Sequence, residues 1–290
     1  MIVSTKNDYG ELKSALVGSV ENFSWPVGDR EFDDSIARST YEETLDRGAV
    51  SQTVISEARE DLETLAEHLT TRGVQVTRPQ IDKPTWAYSA RDIILAVGNT
   101  VIECPTPFSS RSRELDLYPA VKQSGCKIVR APRPETLEDP MFDAANVLKL
   151  NDKLVYSLSH SANEAGAVWL QEQVGTEFEV VPWRVVEHQI THIDSTLLSC
   201  GENIIIANAS RLTTETLPTF MKDFKTIWVE DCVPRSFDRF PFASKWIGMN
   251  MLSLNPETIF VDEIQTELIA KLKKEGFEVI DMPMRQSRTL

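Results

Sequence analysis

The stretch from Thr191 to Arg211 reads THIDSTLLSCGENIIIANASR. Its two short apolar runs flank a Gly201-Glu202-Asn203 segment, and this order is typical of a β-hairpin with a tight turn. The polar cluster His192-Ile193-Asp194 comes directly before the first run. The stretch therefore predicts a hairpin that carries polar side chains where its first strand begins.

The same order recurs three more times along the chain. Strands are predicted at 93–97 with 100–103, at 146–150 with 153–158, and at 246–254 with 258–261. A polar side chain again precedes each first strand, namely Asp92, Asp143 and the pair Ser244-Lys245. A spacing of about fifty residues between the copies indicates an internal repeat.

A second pattern recurs five times, in which a segment with helical periodicity leads to a glycine, a short strand and a proline; the copy at 225–229 lacks the glycine. The prolines at 79, 132, 182, 234 and 283 are separated by 53, 50, 52 and 49 residues. The sequence therefore predicts five ββαβ modules, most simply arranged as a five-bladed α/β-propeller with its helices outside. The first strand, at 12–18, has no partner beside it, and residues 19–50 are expected to form a loop that caps a site.

Composition and charge exclude several classes of function. Lysine and arginine number 30 against 44 aspartates and glutamates, a net charge of −14, so a nucleic-acid partner is not expected. The four cysteines show neither a disulfide framework nor metal-ligand spacing. Without a signal-like or membrane-spanning apolar run, the chain is expected to be soluble and cytoplasmic, with residues 1–290 forming a single domain.

The polar residues that precede the strands occupy equivalent positions in their modules. Asp92, Asp143, His192 with Asp194, and Ser244 with Lys245 should therefore converge at one mouth of the propeller. Convergent carboxylates beside a histidine favour binding of a cation, together with acid–base chemistry. Taken singly, each aspartate could instead cap a turn and the histidine could be structural. Their shared register argues against coincidence.

Four motifs carry a resemblance to a known family. They are residues 89–99 (SARDIILAVGN), 142–146 (FDAAN), 192–196 (HIDST) and 243–250 (ASKWIGMN). In this order and spacing they resemble the motifs of the amidinotransferases that act on arginine and on glycine or an inosamine phosphate. The resemblance covers the chain from about Asn7 to Leu290, and it implies the pentein-like five-bladed α/β-propeller of guanidino-group-modifying enzymes.

The resemblance also implies a chemistry and a role for each matching residue. A cysteine thiolate would attack the guanidino carbon of L-arginine, ornithine would leave, and an amine acceptor would take the amidino group. His192 would be the general acid and base, and Asp143 would hold the guanidinium and orient His192. Asp92 and Asp194 would complete the carboxylate ring. Arg211 would bind the substrate carboxylate, although it could also be a surface arginine at a turn, and Ser244 would contact substrate.

The family's nucleophile lies in a closing Gly-rich segment that follows a stretch resembling residues 285–290. We therefore expect both this cysteine and the strand that completes the fifth blade to lie beyond Leu290, which leaves that blade incomplete at its C-terminal side. Among the cysteines present, Cys104, Cys126 and Cys200 are predicted to be structural, and Cys232 is the remaining candidate substitute.

Three functions remain open at this point. The first is an amidinotransferase, the second is a hydrolase of the same superfamily that uses water as acceptor, and the third is a non-catalytic protein that binds guanidino compounds. Gln189-Ile190-Thr191 stands where glycine-specific relatives carry Asn-Pro-Met, so the acceptor need not be glycine. No metal or organic cofactor is implied, and a homodimer is possible.

Overall fold

The computed structural model describes residues 2–29, 32, 50–185, 190–237 and 242–290. Most of the predicted capping loop, at 30–31 and 33–49, lies outside this part of the chain, as does Gln189. In these ranges the α-helices are, in chain order, α1 (Gln52–Thr71), α2 (Pro119–Lys122), α3 (Glu164–Val174) and α4 (Thr266–Lys274).

Fourteen strands form five small sheets in the described residues. The first sheet holds β1 (Ser14–Leu16) and β2 (Gln75–Thr77). The second holds β3 (Ile94–Val97), β4 (Thr100–Glu103) and β5 (Lys127–Arg130). The third holds β6 (Val147–Leu150), β7 (Lys153–Ser157) and β8 (Glu179–Trp183). The fourth holds β9 (Leu197–Gly201), β10 (Ile204–Asn208) and β11 (Lys225–Val229). The fifth holds β12 (Met251–Asn255), β13 (Thr258–Asp262) and β14 (Glu278–Met282).

The four three-stranded sheets share one topology. In each, the first two strands form an antiparallel hairpin, and the third strand returns parallel to the second. The turns of the first three hairpins contain Gly98, Asn151 and Asn203, each with φ between 55° and 57°. Glycine and asparagine tolerate this left-handed conformation best, which is why these residues set the turns. The predicted hairpin repeat is confirmed.

The five sheets surround one central groove of about 620 Å³. Its wall contains residues of β1 and of the first strand of every three-stranded sheet, including Ile94, Leu148, Leu197 and Met251. The N-terminal segment crosses the turn ends of the hairpins, where Thr5 pairs with Gly98, Asn7 with Leu150, and the Leu12 amide with the Leu254 carbonyl. This groove is the axis expected for a five-bladed arrangement.

The first sheet differs from the others because β1 pairs only with β2 among the described residues. Main-chain bonds to β2 use the Lys13 carbonyl and the Val17 amide. Because alternate residues of a strand bond to opposite sides, the amides and carbonyls of Ser14 and Leu16 face the central groove. In the described chain this sheet thus has two strands where the other four have three.

Three details of the secondary structure differ from the sequence prediction. The helix of the second module shrinks to the four residues of α2, and the fourth has only a 3₁₀ turn, Thr219–Met221, because prolines and β-branched residues interrupt both segments. The strand predicted from 246 begins only at Met251, after a 3₁₀ turn over Lys245–Met249. Strand β8 continues through Pro182, which an edge strand tolerates.

The buried apolar side chains form several separate clusters, and the largest of these packs α1 against the first and last sheets. Trp25, Phe32, Trp86 and Phe242 form its aromatic centre, with ring centroids 5.1–5.7 Å apart. Helix α1 begins at the Ser51 cap and ends before Gly73. Within the described ranges, no helix has the length and apolar character needed to cross a membrane.

Candidate active site

Four short 3₁₀ turns place the polar residues of the repeat at one end of the molecule. The turns are Ala90–Asp92, Ala144–Asn146, Ile193–Ser195 and Lys245–Met249, and each precedes the first strand of a sheet. Consecutive turns pack against each other. Asp143, His192 and Ser244 are the residues directly before their turns, so equivalent module positions come together in space.

These turns surround a cavity of about 500 Å³, called the site cavity below. All six residues singled out in the sequence line it: Asp92, Asp143, His192, Asp194, Arg211 and Ser244. Lys245 does not, contrary to expectation, because its ammonium group bonds to Asp231 outside the cavity.

The centre of the cavity is an imidazole held between two carboxylates. Nε2 of His192 lies 3.0 Å from Oδ2 of Asp143, and Nδ1 lies 3.8 Å from Oδ1 of Asp92. Asp143 is fully buried, whereas about a quarter of the His192 side chain is exposed to the cavity. The geometry suits an imidazole that exchanges a proton with a bound molecule while its ring is held in place.

The charge of His192 is set by its surroundings. Burial alone lowers the pKa of His192, but the hydrogen bond to Asp143 and the negative charges of Asp92, Asp143 and Asp194 outweigh it and raise this pKa to about 9. Burial also raises the pKa of Asp194, and the positive charges of His192 and Arg91 oppose that rise. At neutral pH the imidazole is therefore protonated and can act as an acid.

Asn146 fixes the relative positions of Asp143 and His192. Its side-chain oxygen accepts the amide N–H of Asp143 at 3.0 Å, and its Nδ2 donates to the carbonyl of Thr191, which precedes His192. A further bond from Nδ2 to Ser159 Oγ, at 3.0 Å, completes the network. Since Asn146 is fully buried, this amide connects two modules as a rigid bridge.

The second carboxylate oxygen of Asp143 is free. Asp143 lines the site cavity, and its Oδ1 is buried and has no hydrogen-bond partner in the described residues. A buried polar atom without a partner costs free energy on the order of 1–3 kcal/mol, so native proteins retain few of them without a functional reason. A bound N–H donor would satisfy this atom.

Arg111 is a residue of the site that the sequence analysis missed. Its side chain is only 2% exposed and donates from Nη1 to Asp92 at 2.6 Å, from Nε to Glu114 at 2.8 Å and from Nη2 to the Ser89 carbonyl at 2.6 Å. Its guanidinium carbon lies 4.9 Å from the centre of the Trp86 ring. Arg111 therefore positions Asp92. It lies outside the repeated motifs, so no sequence signal identified it.

Arg211 offers a second kind of contact in the cavity. Its Nη1 donates to Ser195 Oγ at 3.0 Å and to Thr196 Oγ1 at 2.7 Å, and its guanidinium carbon lies 5.9 Å from the Trp246 ring centre. Burial lowers the pKa of Arg211, and no carboxylate among the described residues pairs with it. An arginine without a carboxylate partner can bind an anionic group of a ligand.

None of the four cysteines lines the site cavity. Cys104 and Cys200 are buried, and burial raises the pKa of both thiols, that of Cys200 to about 12. Cys126, beside β5, is half-buried. Cys232, the candidate substitute from the sequence, is also buried, and its pKa is raised to about 12 by burial and by the charge of Asp231. Cys232 therefore does not reach the site cavity in the structure.

Comparison with known proteins gives a consistent result. The inosamine-phosphate amidinotransferase 1 of Streptomyces griseus is 35% identical to this chain over the chain's whole length and 93% of its own. The chain belongs to the amidinotransferase family. A solved structure of the Streptomyces griseus enzyme superposes on this amidinotransferase fold with a TM-score of 0.90 and 34% identity, covering 99% of this chain and 92% of that one.

More distant structures share the fold of this chain without comparable sequence similarity. A dimethylarginine dimethylaminohydrolase of Pseudomonas aeruginosa has a TM-score of 0.66 at 15% identity, over 96% of this chain and 94% of that one. The predicted pentein-like fold is thereby confirmed. No protein-family model matched the chain. The described residues also contain no cluster of three or more His, Cys, Asp or Glu side chains that could hold a metal ion.

Proposed function

We propose that the site cavity transfers an amidino group from L-arginine to an amine acceptor through a cysteine thiolate. The observation that carries the proposal is the Asp143 carboxylate, which lines the cavity, bonds to His192 through Oδ2 and has no hydrogen-bond partner among the described residues for its buried Oδ1. A guanidinium supplies N–H donors and a positive charge that match this oxygen and the nearby Asp92 and Asp194.

The proposed reaction has two halves. The thiolate adds to the guanidino carbon, His192 donates its proton to the departing δ-nitrogen, and the C–N bond breaks to release ornithine. The acceptor amine then adds to the amidino carbon on sulfur, His192 removes its proton, and the C–S bond breaks to regenerate the thiolate. Because one histidine serves as acid and then as base, no other group has to supply or store a proton.

Arg211 and Ser244 bind the other end of the substrate in this proposal. Both line the site cavity, and Arg211 is not paired with a carboxylate among the described residues. The substrate's α-carboxylate would therefore complete the bonding of Arg211, as a planar guanidinium suits. The proposed chemistry uses only thiol, imidazole and carboxylate groups.

We further propose that the thiolate is none of the four cysteines described above. The central groove beside β1 offers a path for an additional strand, because the main-chain groups of Ser14 and Leu16 face it. The groove and the site cavity share wall residues, including Arg91, Asp194 and Asn250. A cysteine on a strand in the groove would thus reach the inner end of the site cavity.

A second candidate function is binding of guanidino compounds without turnover by these 290 residues. The specific observation in its favour is the absence of every described cysteine from the cavity wall. The carboxylates and Arg211 would then still recognise arginine, but no covalent intermediate would form. Both functions rest on the same binding site and differ only in chemistry.

A single experiment separates the candidates. The purified protein is incubated with L-arginine labelled in its guanidino carbon, with and without a panel of primary amines, and its intact mass and the small-molecule products are followed. Ornithine with a labelled amidino adduct, and transfer of the label to an added amine, are expected for a transferase. Citrulline in the absence of any amine would instead indicate a hydrolase. Calorimetric arginine binding without product would leave the non-catalytic function.

Arginine affinity is expected to increase as the pH rises from 6 to 8.5. The pKa of His192 is about 9 before binding, so the protonated imidazole opposes a second cation, and arginine binding should expel part of that proton. The gain in affinity should stay below the roughly tenfold per pH unit that complete proton release would give, because His192 must keep part of the proton for the acid step. It should appear as proton release in calorimetry with buffers of different ionisation enthalpy. In His192→Gln the pH dependence should be lost. Affinity that falls with rising pH would contradict the assignment.

A further inference from the structure

Partnerless polar atoms concentrate in the site cavity. Among the buried side-chain nitrogen and oxygen atoms of the described residues that have no hydrogen-bond partner, three belong to residues that line this one cavity. They are Asp143 Oδ1, the Tyr88 hydroxyl and Asn250 Oδ1. Since such atoms are rare and costly, three in one cavity indicate a ligand that satisfies them together. The proposed function already uses Asp143, whereas Tyr88 and Asn250 have no role in it.

Asn250 lies at the inner end of the site cavity. It follows the 3₁₀ turn Lys245–Met249 and precedes β12, and its amide N–H is anchored on the Ile247 carbonyl. Asn250 lines both the site cavity and the central groove. Its anchored main chain fixes the position from which the side chain extends, and the partnerless Oδ1 can accept an N–H.

Tyr88 belongs to the same shared wall. It is 8% exposed, and its side chain also lines both cavities. Burial, with the nearby charges of Asp61 and Asp262, raises the pKa of Tyr88 far above neutrality. The phenol is therefore uncharged, and it can accept a hydrogen bond as well as donate one.

The charged and polar residues are distributed unevenly along the cavity, and this distribution predicts how a bound ligand is oriented. Three residues with side-chain oxygen atoms line both the site cavity and the central groove, and therefore lie at the inner end: Asp194, Tyr88 and Asn250. Arg211 and Ser244 line the site cavity but not the central groove. Arg91 is at the inner end too, but its Nη1 and Nη2 donate to the main-chain carbonyls of Ala144 and Val147. The cationic end of a ligand should thus point inward and its anionic end toward Arg211.

We infer that Asn250, supported by Tyr88, is a further substrate-binding residue that accepts an N–H of the guanidino group at the inner end of the site cavity. A guanidinium carries five N–H donors in one plane, more than Asp143 Oδ1 alone can accept. The amide oxygen of Asn250 adds an acceptor without adding another negative charge beside Asp143 and Asp194. This inference rests on the proposed function, since it assigns a contact to the same substrate.

The test compares two ligands on matched variants by calorimetry. L-arginine has the guanidino group, whereas L-ornithine shares its α-carboxylate and α-ammonium but ends in an amine. Asn250→Leu is expected to weaken arginine binding about 5- to 20-fold, as expected for loss of a buried hydrogen bond, and to leave ornithine binding within about twofold. Asn250→Asp, which retains an acceptor oxygen, should keep most of the arginine affinity. Tyr88→Phe should weaken arginine binding by a smaller factor.

The control variant is Asn255→Ala, at the far end of β12, where the side chain accepts the amides of Glu257 and Thr258 in the hairpin turn. It should not alter the ratio of arginine to ornithine affinity. Unchanged arginine binding in Asn250→Leu, or equal loss for both ligands, would overturn the inference while the proposed function stands. Failure of the unmodified protein to bind arginine would overturn the proposed function and this inference with it.

Discussion

Asp143→Asn is expected to lower arginine affinity by roughly 100-fold, as is typical when one partner of a buried ion pair is removed. The substitution keeps the size of the side chain but removes the charge that faces a cationic ligand. It also places an amide on Oδ1 or Oδ2, so that one bond to either His192 or the ligand becomes a contact between two donors. Titration calorimetry with L-arginine at constant pH measures the change.

The matched control is Asp152→Asn, an exposed aspartate in the β6–β7 turn of the same sheet, which should bind arginine normally. His192→Ala provides the contrasting result, because it should preserve arginine binding while abolishing any turnover. If Asp143→Asn bound arginine with unchanged affinity, Asp143 would have to be removed from the proposed site.

Arg111→Met is expected to cost about 3–5 kcal/mol in the free energy of unfolding, because it leaves the carboxylates of Glu114 and Asp92 without their cation. Methionine fills much of the space against Trp86 but supplies no donor. Urea denaturation measures the loss. Arginine affinity should fall as well, since Asp92 loses the contact that positions it. Arg111→Lys should give intermediate losses, because lysine keeps the charge but cannot bond to both carboxylates in the same geometry.

The loss of unfolding free energy in Arg111→Met should be larger at pH 8 than at pH 5. Burial raises the pKa of Glu114 to about 7 even with Arg111 opposing the rise. A carboxyl whose pKa is raised on folding stabilises the folded state at low pH and loses that contribution as the pH rises through the folded-state pKa. Without Arg111 this dependence should become steeper. The double variant Arg111→Met with Glu114→Gln should recover part of the stability at pH 8, and a loss independent of pH would argue against Glu114 as its cause.

The hairpins and the residues at their open ends were predictable from the sequence. The turns at Gly98, Asn151 and Asn203 depend on residues that tolerate a left-handed backbone. The strands beside these turns depend on short apolar runs. Both signals are local. Because polar residues occur shortly before each first strand, their repetition also predicted that Asp92, Asp143 and His192 would meet, as their placement around one cavity shows. The positions are not strictly equivalent, since Asp92 ends its 3₁₀ turn whereas Asp143 and His192 directly precede theirs.

The supporting residues were not predictable in the same way. Asn146 bonds to the Thr191 carbonyl across 45 residues, and Arg111 bonds to Asp92 across 19. Neither pairing leaves a periodic pattern, since the first joins two modules and the second joins a connecting 3₁₀ turn to the start of the hairpin in its own module. The same reason explains Lys245, which was expected at the mouth because of its neighbour Ser244 but bonds to Asp231 instead.

By itself the sequence determined the repeating hairpins, the module spacing and the four motifs that resemble an amidinotransferase, because turn preference and apolar periodicity act between residues close in the chain. Only the tertiary structure decided which oxygen of Asp143 is free, that every described cysteine lies away from the cavity, and that Asn250 and Tyr88 line its inner end. These properties depend on burial and on contacts between modules, which arise only when the sheets close around their common axis.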